Sequence, residues 1–134
     1  MKKSRPILLQ SLLVSFIGVA LIMLSRIIQK IPIPNDGEYF YSHFFSDAYT
    51  KPVMLVFFLV AGVLGFLLEL KPWLIGFLLI SFTLIALLYE MIVYPTSHNL
   101  LPADILFFLF KSIPPVGGAY IGYLIKRSRV KQTE

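Results

Sequence analysis

No cysteine occurs among the 134 residues, which removes disulfide scaffolds, thiolate zinc sites, iron–sulfur clusters and cysteine nucleophiles. Charge is scarce too: 14% of residues are Asp, Glu, Lys or Arg, against about a quarter in ordinary soluble domains. A disordered tail needs the opposite balance, many charges and few apolar groups. Alternating polar and apolar strands are missing, which removes a membrane β-barrel. What fills the chain instead is apolar side chain, 57% of residues, with 12 Phe and 7 Tyr. This is the composition of a membrane protein.

The net charge of +5 raises nucleic acid as a partner, but the basic residues do not gather on one stretch that could form a binding face. Lys2, Lys3 and Arg5 precede the first apolar run, and Lys126, Arg127, Arg129 and Lys131 follow the last. Flanking clusters of this kind set membrane orientation and meet anionic headgroups. The expected partner is the lipid bilayer, together with a second copy or another membrane protein, and not nucleic acid.

Four apolar runs stand out. Pro6 to Ser25 is charge-free for 20 residues, Pro52 to Leu68 for 17 and Pro72 to Tyr89 for 18. Ile105 to Ile125 has 21 residues and one charge, Lys111. About 17–25 apolar residues cross the hydrocarbon as a helix, and only a helix or closed barrel satisfies its backbone there. The sequence therefore predicts an all-α membrane protein, a single integral domain over 1–134 with four transmembrane helices in an antiparallel bundle. The spans fall at about 6–28, 52–70, 72–93 and 103–125, with outer loops at about 29–51 and 94–102. The first run is longer than a secretory core and ends without a small-x-small cleavage site, so it reads as a retained signal-anchor.

Lys and Arg counts set the sidedness. With both termini inside, eight basic residues lie in the cytoplasm and three (Arg26, Lys30 and Lys51) outside. The positive-inside rule then places both termini in the cytoplasm, as in a multi-pass protein of the cell (inner) membrane.

The fourth span departs most from a plain anchor, with Phe110-Lys111-Ser112-Ile113-Pro114-Pro115-Val116-Gly117-Gly118. Two prolines strip the carbonyls of Phe110 and Lys111 of their helical donors. A kink or break at Pro114-Pro115 is expected, leaving bare carbonyls beside an ammonium group. Glu90, four residues inside Tyr94 in the third span, lies at a similar depth to Lys111 by helical rise. An ion pair between them is the predicted intramembrane site, with Ser112, Pro114 and Pro115 around it. It either locks two helices together or binds an anion or coupling ion at a discontinuous helix.

The outer loops hold a second polar cluster: His43 and Asp47, one helical turn apart, with His98, Asn99 and Asp104. Nitrogen and oxygen ligands of this kind suit zinc or manganese. The chain lacks any His-x-x-x-His or Glu-x-x-His pair, however, and the reading is of solvated loop groups with no metal or cofactor. Ser97, His98 and Asp104 fall too close together in sequence, without a nucleophile elbow, to argue a hydrolase. If Glu38 to Tyr49 is helical, Tyr41, Phe44, Phe45 and Ala48 share one stripe and Ser42, Ser46 and Tyr49 turn toward another. That stretch reads as an interfacial helix covering the bundle, or as a lid or docking surface.

Small residues four apart, Gly118 and Gly122, Ala61 and Gly65, Ser11 and Ser15, offer close helix contact. Four spans in about 130 residues superficially resembles the small multidrug transporters, which depend on a membrane-embedded glutamate in the first helix. The first span here has no acid, and that mechanism is not carried over. The functional reading is an accessory, partner-binding or self-assembling membrane protein. The alternative is a small oligomeric transporter or channel using Lys111, Glu90 and freed carbonyls. An enzyme acting at the outer face through His98 and Asp104 ranks last.

Overall fold

The computed structural model describes residues 6–37, 39–95 and 101–132. Among them every regular element is a helix: α1 (Ile7–Gln29), α2 (Phe40–Ser46), α3 (Lys51–Leu67), α4 (Pro72–Leu79), α5 (Ser81–Val93) and α6 (Leu101–Gln132). Helices α1 and α6 are long and apolar enough to cross a membrane. The pairs α2–α3 and α4–α5, bent by 76° and 52°, raise the number to four if each pair is one span. Large apolar side chains are left facing outward, Leu8, Phe16 and Ile92 among them. An uncovered apolar surface of this extent suits contact with lipid.

The helix ends follow from local chemistry. Pro52 and Pro72 sit in the first turns of α3 and α4, where a missing N–H leaves no gap in the ladder. Helix α1 stops in a Schellman turn. Lys30 takes φ 51°, its N–H reaches the Ile27 carbonyl, and the Ile31 N–H reaches the Arg26 carbonyl. Both bonds satisfy carbonyls that the helix itself leaves open.

The expected break at Pro114-Pro115 is absent, and α6 runs unbroken through both prolines. The physical reason lies on the neighbouring segment. The Tyr49 hydroxyl donates to the Lys111 carbonyl at 2.9 Å, the acceptor that Pro115 leaves without its i+4 donor. Apolar helices keep proline when a neighbour re-satisfies the freed group in this way.

The break falls instead between α4 and α5, at Ile80 inside the run expected to be one helix. Two hydroxyls turn back onto the chain here, Ser81 onto the Leu78 carbonyl at 2.8 Å and Thr83 onto the Ile80 carbonyl at 2.7 Å. Back-bonding of this type competes with the backbone ladder and bends helices.

Packing depends on missing side chains. A methyl on Gly122 would stand 1.8 Å from the Gly62 carbonyl oxygen, and one on Gly65 would stand 2.2 Å from that of Ala119. Helices α3 and α6 therefore touch backbone to backbone. Gly18 meets the Leu79 backbone and Gly76 meets Val116 equally closely, bringing α1 and α6 onto α4. Phe57, Ile75, Leu79, Ile80 and Phe82 fill the centre. The α3–α4 hairpin is pinned from two sides, since buried Gln10 of α1 accepts from the Glu69 N–H at 3.2 Å. Lys126 of α6 donates to the Leu68 carbonyl at 2.9 Å.

Candidate functional site

The segment after α1 folds back over the bundle and places α2 against α5. Aromatic contacts seat it: Phe45 on Phe82 (ring centroids 5.1 Å apart), Tyr41 on Tyr89 (4.9 Å) and Tyr49 on Phe57 (5.2 Å). Arg26, only 6% exposed, anchors the same segment from α1. Its guanidinium donates to the carbonyls of Phe44, Ile31 and Pro32 and lies over the Phe44 ring at 4.0 Å. A planar five-donor group suits several carbonyls and an aromatic face at once.

Ser42 and Ser46 lie one turn apart on α2, and each meets one of the two charges expected to pair with each other. Glu90, fully buried, accepts from the Ser42 N–H at 2.8 Å and from the Ser42 hydroxyl. The Lys111 ammonium donates to the Ser46 hydroxyl at 2.6 Å. Glu90 and Lys111 thus form no ion pair. Similar depth along two helices did not bring them together, because a cleft separates α5 from α6 at that level and α2 stands over it.

The cleft holds about 550 Å³, within the range of small-molecule sites. Ser42, His43 and Ser46 line it from α2, Thr83, Leu84 and Leu87 from α5, and Asp104, Phe107, Phe108 and Lys111 from α6. Two of the predicted clusters therefore meet in part: Lys111 from the intramembrane group joins His43 and Asp104 from the outer one. Asp47 is exposed on α2's C-terminal side and does not line the cleft. Glu90 stands behind Ser42, sealed from the space. Ser112 turns its hydroxyl to the Leu109 carbonyl of its own helix at 2.6 Å. Pro115 is fully buried and Pro114 partly so, so both belong to packing. His98 and Asn99 lie outside the described residues. Among the described residues no three His, Asp or Glu side chains group as metal ligands.

Two residues central to this arrangement were missed from sequence. Arg26 was counted only toward orientation, although a guanidinium closing an apolar helix is itself a signal, since such a group needs several acceptors. Tyr49 was placed with Ser42 and Ser46 on one stripe, but its role as donor to a proline-orphaned carbonyl needs the fold.

The chain matches no protein-family model, no curated protein and no solved structure.

Proposed function

We propose that the chain crosses a cell membrane four times, with α1, α3, the α4–α5 pair and α6 as the spans. Both termini then lie in the cytoplasm, and α2 lies at the outer face. In this reading it is an accessory protein that binds a membrane partner or a second copy of itself. The observation that carries the reading is how the sunken charges are used. Glu90 and Arg26 are both consumed in holding the aromatic segment around α2 against the bundle. That makes the outer face a fixed surface.

The same observation weighs against a transporter or channel. Of the three parts that reading needs, Glu90 is sealed behind Ser42 and the Lys111 carbonyl is occupied by Tyr49. The centre is packed with Phe57, Ile75 and Leu79.

A chain without cysteine gives a background-free test. Single cysteines at Asn35, Glu69 and Ser128, all exposed, are challenged in intact cells with an impermeant maleimide. Labelling at position 35 alone supports the four-span layout, and labelling at 69 or 128 overturns it. Lys111→Met then separates the two functional readings. Loss of the assembled complex on a native gel with helicity intact fits the accessory role, whereas intact assembly with lost solute flux fits transport.

A further inference from the structure

The cleft between α2, α5 and α6 has opposite charges at its two levels. Asp104 stands in the first turn of α6 and Lys111 seven residues on, two turns later and so on the same face. The rise between them is about 10 Å. Among the described residues the Lys111 ammonium has one hydrogen-bond partner, the Ser46 hydroxyl, although an ammonium carries three donors. The Asp104 carboxylate accepts no hydrogen bond from another described residue and acts on Lys111 only through its charge. Ser42 and Thr83, the cleft's other hydroxyls on α2 and α5, are already engaged with Glu90 and the Ile80 carbonyl. His43 and Tyr39 add an imidazole and a phenol on the α2 side, and the rest of the wall is apolar, with Leu84, Leu87, Phe107 and Phe108.

We infer that this cleft binds a zwitterionic phospholipid headgroup with a primary ammonium, of the phosphoethanolamine type. The phosphate sits at Lys111, the ammonium at Asp104, and an acyl chain lies along the phenylalanine wall of α6. The order of charges decides the orientation. In a glycerophospholipid the phosphate is nearer the acyl chains and the amine nearer water. In α6 the cation is the deeper group and the carboxylate the shallower one. A simple anion would leave Asp104 facing like charge, and a trimethylated amine would leave it without a donor. The inference rests on the outer-face placement proposed above and adds the ligand class.

The test is native mass spectrometry of the full chain in detergent, titrated with phosphatidylethanolamine, phosphatidylcholine and phosphatidylglycerol of identical acyl chains. Wild-type protein retains phosphatidylethanolamine about tenfold more tightly than phosphatidylcholine, the size of one charge-assisted hydrogen bond. Asp104→Asn brings the two within about twofold of each other, and Lys111→Met weakens both by about tenfold. Circular dichroism and elution volume check the fold. Should Lys111→Met fail to fold, Asp104→Asn carries the test alone, because the Asp104 carboxylate holds no hydrogen bond to another described residue and its loss breaks no packing contact of the fold. Equal retention of the two lipids by wild type, or an undiminished preference in Asp104→Asn, overturns the inference. Tighter binding of phosphatidylglycerol than of phosphatidylethanolamine also overturns it, marking a plain anion site. Lost headgroup preference with cysteine labelling confined to position 35 removes this inference and leaves the topology standing. Labelling at 69 or 128 removes the topology whatever lipid is retained.

Discussion

The Tyr49 hydroxyl supplies the hydrogen bond that Pro115 denies to the Lys111 carbonyl, across 2.9 Å and 62 residues of chain. Tyr49→Phe therefore leaves that carbonyl bare inside an apolar helix. Buried hydrogen bonds between apolar helices contribute about 1–2 kcal/mol, and a loss of that size is expected in a denaturing-detergent titration. Pro115→Ala restores the backbone donor, so Tyr49→Phe in that background costs measurably less. A double-mutant cycle without coupling between the two positions would dismiss the link.

The backbone contact of α3 and α6 predicts a sharp contrast between neighbouring glycines. A methyl on Gly122 meets the Gly62 carbonyl oxygen at 1.8 Å, but one on Gly117 meets only a ring carbon of Phe58, at 3.8 Å. Gly122→Ala must push the helices apart and is expected to cost about 1–3 kcal/mol, the usual range for overpacking. Gly117→Ala is expected to be neutral or slightly stabilising, since alanine is the better helix former. Thermal unfolding of the two variants side by side decides it, and equal midpoints would contradict the close approach.

Arg26→Lys keeps the charge and loses the fork. One ammonium cannot reach the carbonyls of Phe44, Ile31 and Pro32 together while stacking on the Phe44 ring. The segment from Ile31 to Ser46 should open more often, seen as faster cleavage there under limited proteolysis. The α3–α6 contact on the far side of the bundle should be unaffected, and unchanged cleavage would deny Arg26 its anchoring role.

Ser42→Ala removes one of two donors to buried Glu90. Hydrogen bonds to charged groups contribute about 1.5–3 kcal/mol, and most of that should appear as lost stability. Pairing the change with Glu90→Gln should recover part of it, because a neutral amide is cheaper to bury. Unfolding measured on the single and double variants reads this directly, and no recovery would mean Glu90 costs nothing where it lies.

The helices were legible because long apolar runs leave the backbone little choice. The second span, expected over about 52–70, differs from α3 by a few residues at its C-terminal end, where Leu68 leaves helical geometry. The break lies elsewhere for a physical reason. Proline's missing donor is visible in any sequence, whereas the hydroxyl that replaces it comes from Tyr49 on another element. Conversely, Ser81 and Thr83 bend the chain through short local bonds that the hydropathy of their neighbours conceals. The Glu90–Lys111 pairing failed because depth along two helices says nothing of what stands between them. Helical periodicity puts Ser42 and Ser46 on one stripe of α2, but what each of them meets depends on α2 folding back.

Helix α6 continues for 32 residues, a rod of about 48 Å at the usual rise, well beyond the roughly 30 Å of hydrocarbon. The helix continues through Pro114 and Pro115, with the Lys111 carbonyl satisfied by Tyr49. A push on the basic tip around Arg127 would tilt the whole lever and alter the mouth between Asp104 and α2 at the other end. If α6 spans the bilayer as proposed, one continuous helix of this kind ties the two sides together mechanically.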